Sequence, residues 1–387
     1  MKIRGLILGI CAVSVAVSTG CERRSAAPQS TTGEIVVGMY GSLTGDGASF
    51  GQSSVEGAQL AVEEINTAGG VLGGRKIRLL VEDDQSRPEE ASSAVTKLIT
   101  QDKVVAVLGE VASRRTLAAA PVAQKYQIPL ITPASTNERV TQVGDYIFRV
   151  CFIDPFQGEV LAKFAYNDLK ARTVAVLKDI QQDYSVGLTD SIQKTFTGLG
   201  GKVLDPVSYS SGDADFRAIL TQVRAQKPDA IFATGYYPEA AIIVRQAREL
   251  GMTMPILGGD GWVGDALKNG REALKNTFIS NHYSGENPDP IVQNFRKAYR
   301  TKFNREPDSI AALGYDAAKV LADSINRAGT TEGPKVRDAI AAANVAGVTG
   351  QLKMNADRNV VKPAVIEELQ FVNGDVKYAY KTTINPN

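Results

Sequence analysis

Short apolar runs alternate with stretches of helical period from Glu34 onward. Ile35-Val36-Val37-Gly38-Met39 is apolar on both faces, as a strand buried within a parallel sheet must be. Val55, Ala58, Ala61, Val62 and Ile65 then recur at helical spacing, and Gly69-Gly70 closes that helix. Ile77–Val81 predicts a second strand and Glu89–Ile99 a helix, with Pro88 near its start. Val104–Leu108 follows as a strand, Thr116–Lys125 as a helix and Pro129–Ile131 as a fourth strand. Tyr146–Val150 is also strand-like, with Cys151 behind it as a small buried hydrophobe.

The pattern then restarts. Val160, Leu161, Phe164 and Ala165 form a helical stripe, followed by strand Thr173–Leu177, helix Val186–Leu199 and strand Lys202–Val207. Helix Phe216–Ala225, strand Ala230–Ala233, helix Glu239–Leu250 and strand Pro255–Leu257 complete the second run. Ile291–Phe303 and Ser309–Ala328 are long helical stretches, and strand-like segments run to the end. Strands alternating with helices form right-handed βαβ units on parallel sheets. Two such runs of similar size predict an α/β protein with two doubly wound lobes.

The first residues break this pattern. Lys2 and Arg4 precede a mostly apolar stretch, Gly5–Val17, that ends in Ser18-Thr19-Gly20-Cys21. That is the plan of a secretory signal peptide, and it is shorter than the roughly 20 apolar residues of a membrane span. Small residues before a cysteine resemble a bacterial lipobox, although Ser18 stands where leucine is preferred. The expectation is a signal peptide over 1–20, a lipidated Cys21, and a polar tether over 21–32. No other apolar run of spanning length follows, so the mature chain is expected to meet a membrane only through that lipid.

Composition narrows the function. Lys plus Arg number 43 against 42 for Asp plus Glu, a balance with no footprint for nucleic acid or an anionic membrane surface. One histidine and three cysteines cannot build a His-rich or Cys-rich metal site. Gly47-Ala48-Ser49-Phe50-Gly51 matches the G-x-S-x-G elbow of serine hydrolases, with His282 as the sole candidate base. The match sits in a glycine-rich loop after the first strand, and His282 lies in a loop-like segment as a solvated or hinge residue. Gly45-Asp46-Gly47 and Gly51 depart from dinucleotide spacing, and no Walker A lysine motif occurs. No cofactor is implied.

Polar residues gather instead at the carboxyl ends of strands, where open α/β sheets bind ligands. Gly109–Thr116 offers Ser113 as a helix cap, with free N–H groups behind it that favour an anion, and Ala134-Ser135-Thr136 repeats the arrangement. The second run offers Gln181–Tyr184, Thr234–Glu239 with Tyr236, and Gly258-Gly259-Asp260-Gly261-Trp262. Hydroxyls and N–H groups on one lobe, with aromatics and a carboxylate on the other, suit a small zwitterion.

These residues resemble the leucine/isoleucine/valine-binding family of type I periplasmic binding proteins. The marks are Gly45-Asp46-Gly47 through Gly51, Gly57-Ala58 through Ile65-Asn66, Ala68-Gly69-Gly70, Asp83-Asp84, Ile131–Ala134 and Tyr236-Tyr237-Pro238-Glu239. The resemblance runs from about Glu34 to the C-terminus. It implies a non-catalytic monomer that captures a small aliphatic or branched-chain amino acid and delivers it to an inner-membrane ABC permease. Ser113 then resembles the carboxylate-binding serine, and Ala134 and Thr136 the pair that meets the α-amino and α-carboxylate groups. Tyr184 and Tyr236 resemble the closing tyrosines, and Asp260 the acidic partner of the ammonium. Phe50 stands where a tyrosine is common, Ala112 replaces a cysteine of some relatives, and Trp262 fills part of the side-chain pocket.

The resemblance also implies lobes that exchange strands through a three-strand hinge. Lobe one is expected over 33–153 plus 284–362, and lobe two over 154–283 plus 363–387. Other ligands of the same fold are amides, urea or aromatic carboxylates. A serine esterase using Ser49 and His282 is the alternative from another class. The parts played by Arg114 and Arg115 stay open.

Overall fold

The structure, a computed structural model, describes residues 33–386 except Pro206. The signal peptide, Cys21 and the tether lie outside the described residues. Strands β1 (Ile35–Gly41), β2 (Ile77–Asp83), β3 (Val107–Leu108), β4 (Leu130–Thr132) and β5 (Ile147–Arg149) form one parallel sheet in the order β2-β1-β3-β4-β5. Helices α1 (Ala48–Thr67), α2 (Pro88–Thr100), α3 (Ser113–Tyr126) and the short α4 (Arg139–Gln142) connect them.

The second run begins with α5 (Asp154–Lys163), which widens into a π turn over Phe164–Asp168. It continues through β6 (Thr173–Asp179), α6 (Asp183–Gly198), β7 (Lys202–Val203), β8 (Val207–Tyr209) and α7 (Arg217–Ala225). Strand β9 (Ala230–Ala233), α8 (Tyr237–Glu249), β10 (Ile256–Gly258) and β11 (Thr277–Asn281) follow. The parallel part of this sheet runs β7-β6-β9-β10-β11, with β8 also pairing with β6. Its winding therefore repeats that of the first sheet: the second strand lies on one side of the first, and the remaining strands on the other. Such a reversal leaves a crevice at the carboxyl ends of the central strands. In this chain the crevices lie beside β1/β3 and β6/β9.

The remaining chain is shared between the two sheets. Helices α9 (Pro290–Phe303), α10 (Ser309–Ala328) and α11 (Gly333–Ala341) and the hairpin β12 (Asn344–Gly347)–β13 (Gly350–Lys353) return to the first sheet. Strands β14 (Ala364–Val372) and β15 (Asp375–Ile384) then join the second sheet beside β11, antiparallel. The chain thus passes between the sheets three times: after β5, after β11 and before β14.

Several expectations are corrected. The second sheet carries an antiparallel edge beside its parallel strands: β14 enters antiparallel to β11, and Asn373 and Gly374, with positive φ values of 53° and 84°, turn β15 back along β14. Asn-Gly is a strong short hairpin signal, and it stood in the sequence unused. The strand expected over 202–207 is two short strands, β7 and β8, and β8 runs on to Tyr209. Helix α11 and strand β11 had not been anticipated.

Close helix packing in the first lobe depends on two glycines. A Cβ on Gly57 of α1 would fall 1.9 Å from the Ala311 carbonyl oxygen of α10, and one on Gly314 would fall 2.2 Å from that of Ser54. Both obstacles are backbone, so the helices must move apart to admit a methyl group. Gly57→Ala is expected to lower the urea midpoint by an amount equivalent to about 1–3 kcal/mol or more. A midpoint equal to that of the unaltered protein would show that the two helices are free to separate.

Candidate functional site

The loops after β1, β3 and β4 face those after β6, β9 and β10. On the first-lobe side the ends of β1, β2 and β3 supply Ser42, Asp84 and Glu110, all completely buried. The Ser42 hydroxyl donates to Asp84 at 2.7 Å, and the Arg115 guanidinium from α3 pairs with Glu110 at 3.1 Å and Asp84 at 3.9 Å. Burial, and then the neighbouring Glu110 carboxylate, push the Asp84 carboxyl up, and Arg115 opposes this. Arg115 is therefore a buried internal partner, and its ion cluster seats the start of α3. Asp83 accepts from the Leu43 and Gln85 N–H groups and from the Thr44 hydroxyl, which shapes the loop after β1.

Helix α3 begins at Ser113 itself rather than at Thr116, so Ser113 is not a side-chain cap. Its Oγ accepts from the Asn137 N–H at 3.2 Å, tying the helix start to the loop after β4. No helix begins at Ala134-Ser135-Thr136. Ser135 is turned inward, with its hydroxyl 2.7 Å from that of Thr116 and donating to the Glu110 carbonyl at 3.0 Å. Its side chain is structural, and its N–H donates to the Thr132 hydroxyl at 3.0 Å.

Arg149, at the end of β5, holds this loop from beneath. Its guanidinium donates to the carbonyls of Ser135 at 2.6 Å, Asn137 at 2.9 Å and Glu138 at 3.3 Å. Nothing in the sequence pattern had singled it out. Nearby, Asp154 stands in the first turn of α5, where the helix N-terminus favours an acid. Both Asp154 carboxylate oxygens, and the Thr136 hydroxyl that faces them, are buried without a well-formed hydrogen-bond partner among the described residues. Burial, with Asp260 adding to it, pushes the Asp154 carboxyl well above the usual range. A cation arriving here would relieve both effects.

On the second-lobe side the glycines around Asp260 admit three aromatic rings. A Cβ on Gly258 would meet the Trp262 indole at 2.3 Å, one on Gly259 the Tyr184 hydroxyl at 2.2 Å, and one on Gly261 the Tyr236 ring at 2.8 Å. Tyr184 and Tyr236 stack with centroids 5.0 Å apart and planes 6° off parallel. Phe50 reaches across from α1 to meet Tyr236 edge-on at 5.4 Å. Burial, and then Asp260 and Asp154, push the Tyr184 phenol well above its usual range, so this wall is neutral. Trp262 differs from expectation: its ring is wholly enclosed over Gly258 and its Nε1–H donates to the Gly235 carbonyl at 3.1 Å. It supports the loop around Asp260 from the core.

Asp260 is held at both oxygens. Gln157 Nε2 donates to Oδ1 at 2.7 Å, and His282 Nε2 lies 2.8 Å from Oδ2. His282 is buried, not solvated. The esterase constellation is not assembled, because Ser49 Oγ accepts from the Asp265 N–H while His282 engages Asp260. A nucleophile and its base must share a hydrogen bond.

The lobes meet over the site. Tyr237 donates to the Asp46 carbonyl at 2.6 Å, Asn137 to the Asp183 carbonyl at 2.8 Å, and Arg139 pairs with Asp183 at 2.9 Å. Arg114 also bridges the lobes, to the Gln181 carbonyl. A cavity of ≈ 330 Å³ remains at the mouth, walled by Asp46, Phe50, Arg114, Arg115, Gln182 and Tyr236. Ser113, Ala134, Thr136, Tyr184 and Asp260 lie deeper and are at most 5% exposed. Among the described residues no cluster of His, Cys, Asp and Glu could hold a metal ion, and no helix is long and apolar enough to cross a membrane.

Two like-wound lobes, joined by three crossings and shut over a polar cleft, are the plan of a solute-binding protein. The chain belongs to the periplasmic binding protein family, whose model matches residues 34–370. It is 34% identical to an amino acid binding protein of Pseudomonas aeruginosa over 350 residues, covering 89% of this chain and 90% of that one. Among solved structures it resembles the leucine binding protein LivK of Thermotoga maritima, with a TM-score of 0.86 and 40% identity over 91% of this chain and 99% of the other. It also resembles the branched-chain amino acid substrate binding protein LivJ of Streptococcus pneumoniae in complex with isoleucine. There the TM-score is 0.84 and the identity 35%, over 90% of this chain and 99% of the other.

Proposed function

We propose that this protein captures a branched-chain or similar aliphatic amino acid between its lobes and hands it to an ABC permease in the inner membrane. The observation that carries this reading is the buried acidic pair Asp260 and Asp154, set opposite the start of α3. Among the described residues neither carboxylate is paired directly with a lysine or arginine, and an α-ammonium supplies such a partner. The N-terminus of α3, with Ser113 in its first turn, favours the α-carboxylate. In this assignment Ala134 and Thr136 contribute backbone and hydroxyl contacts, Tyr184 and Tyr236 close over the ligand, and Phe50 borders its side chain. Aromatic carboxylates lack the ammonium, and amides and urea lack its charge. The similarity to a leucine binding protein, LivK, and to LivJ in complex with isoleucine supports the aliphatic choice.

The working unit is two lobes, 33–153 with 284–362 and 154–283 with 363–387, closing about the three crossings on a bound ligand. The chain acts as a monomer without catalysis, outside the cytoplasm and tethered through a lipid on Cys21. A thermal-shift screen of refolded, ligand-stripped protein against single amino acids tests the ligand class. A ligand at about 100 times its dissociation constant stabilises by about 2.7 kcal/mol, which raises the melting temperature by several degrees. The expected result is a shift with leucine, isoleucine or valine and none with benzoate or acetamide. Shifts with benzoate alone would overturn the amino-acid assignment.

A further inference from the structure

We propose that His282 is a positioning residue for amino-acid capture: from the junction of the three interlobe crossings, its Nε2–H fixes the Asp260 carboxylate in the orientation that receives the ligand's ammonium group. This rests on the proposed function above, with Asp260 as the ammonium acceptor.

His282 is the sole histidine of the chain and lies immediately after β11, on the second crossing. Its ring stacks on Phe152 of the first crossing, with centroids 3.8 Å apart and planes 24° off parallel. Lys362 of the third crossing is completely enclosed, and its ammonium donates to the Thr349 hydroxyl at 2.6 Å. Lys362 is also close enough to oppose protonation of His282. One imidazole therefore senses all three strands about which the lobes would turn.

Its chemical state follows from its neighbours. Burial above all, with Lys362 adding to it, pulls the imidazole down to about 4 against the opposing pull of Asp260. The ring is neutral at pH 7 and carries a single N–H. A carboxylate can only accept, so that proton sits on Nε2 toward Asp260, and Nδ1 is left as a buried acceptor without a partner among the described residues.

A neutral donor suits this task better than a cation. Gln157 and His282 together occupy one lone pair on each Asp260 oxygen, which stops the carboxylate from rotating while leaving its negative charge whole. An arginine or lysine there would cancel the charge that the ligand must meet. Side chains that hold a first contact in place are a general requirement of precise sites.

The test uses two variants of the whole protein. His282→Phe keeps a ring on Phe152 and removes the donor. His282→Gln keeps an Nε2 donor and removes the ring. Binding of L-leucine and of 4-methylpentanoate, its analogue without the ammonium, is measured by calorimetry alongside the melting temperature of each variant. The Phe variant is expected to weaken leucine binding about 10- to 100-fold, with little change for 4-methylpentanoate, and the Gln variant to restore most of the loss. If the Phe variant folds poorly, the Gln variant decides: retained leucine affinity supports the role of the donor, and lost affinity in a stable protein overturns it. Leucine binding by a well-folded Phe variant equal to that of the unaltered protein would overturn the proposal and leave the amino-acid reading standing. An unaltered protein that binds no amino acid would overturn both.

Discussion

Replacing Asp260 with alanine is expected to weaken leucine binding by at least about 30-fold, equivalent to 2 kcal/mol or more. Two effects combine. The ligand's ammonium loses its charged acceptor, and Gln157 and His282 lose the group that both now contact. A ligand without an ammonium should respond in the opposite sense, because removing a buried anion relieves its repulsion of an incoming carboxylate. The change is therefore best read as a ratio of leucine to 4-methylpentanoate affinity, measured by calorimetry. A ratio within about threefold of that of the unaltered protein would exclude Asp260 as the ammonium partner.

The largest effect on stability is expected from Arg149. Arg149→Met nearly preserves volume but removes every donor from the loop that carries Ala134 and Thr136. The carbonyls of Ser135, Asn137 and Glu138 lose their partner, and Asp154 loses a nearby positive charge. Removing one member of a buried charged network costs about 3–5 kcal/mol. Urea denaturation of the ligand-free protein should show a correspondingly lower midpoint, with leucine affinity falling too as the loop loosens. Arg149→Lys should recover little of either, because one ammonium cannot serve the separate carbonyls that the planar guanidinium reaches. A Met variant with an unshifted midpoint would show that the loop holds itself up.

Burial separates residues that look alike in the sequence. Ser113 and Ser135 both follow strands in the sequence, and both lie at the carboxyl edge of the first sheet. Their partners differ: Ser113 receives the Asn137 N–H, while Ser135 meets Thr116 and Glu110. Trp262 lies two residues after Asp260, but its indole fits the space over Gly258 inside the lobe. His282 was read as a solvated or hinge residue because its neighbours are loop formers. Its hydrogen bond to Asp260 spans 22 positions, which no local periodicity encodes.

The chain itself determined the alternation of strands and helices, the restart that makes two lobes, and the polar loops at strand ends. Each is written in a period of two or 3.6 residues, or in a glycine or proline whose backbone preference acts locally. The tertiary structure decided that the second sheet ends in an antiparallel hairpin, that Arg115 belongs to a buried ion cluster, and that Arg149 braces the binding loop. It also joined Gln157, Asp260 and His282, and buried Asp154 beneath the cleft facing the Thr136 hydroxyl. A hydrogen bond depends on distance and angle between groups that here lie far apart along the chain, so it exists only once the strands have found their neighbours.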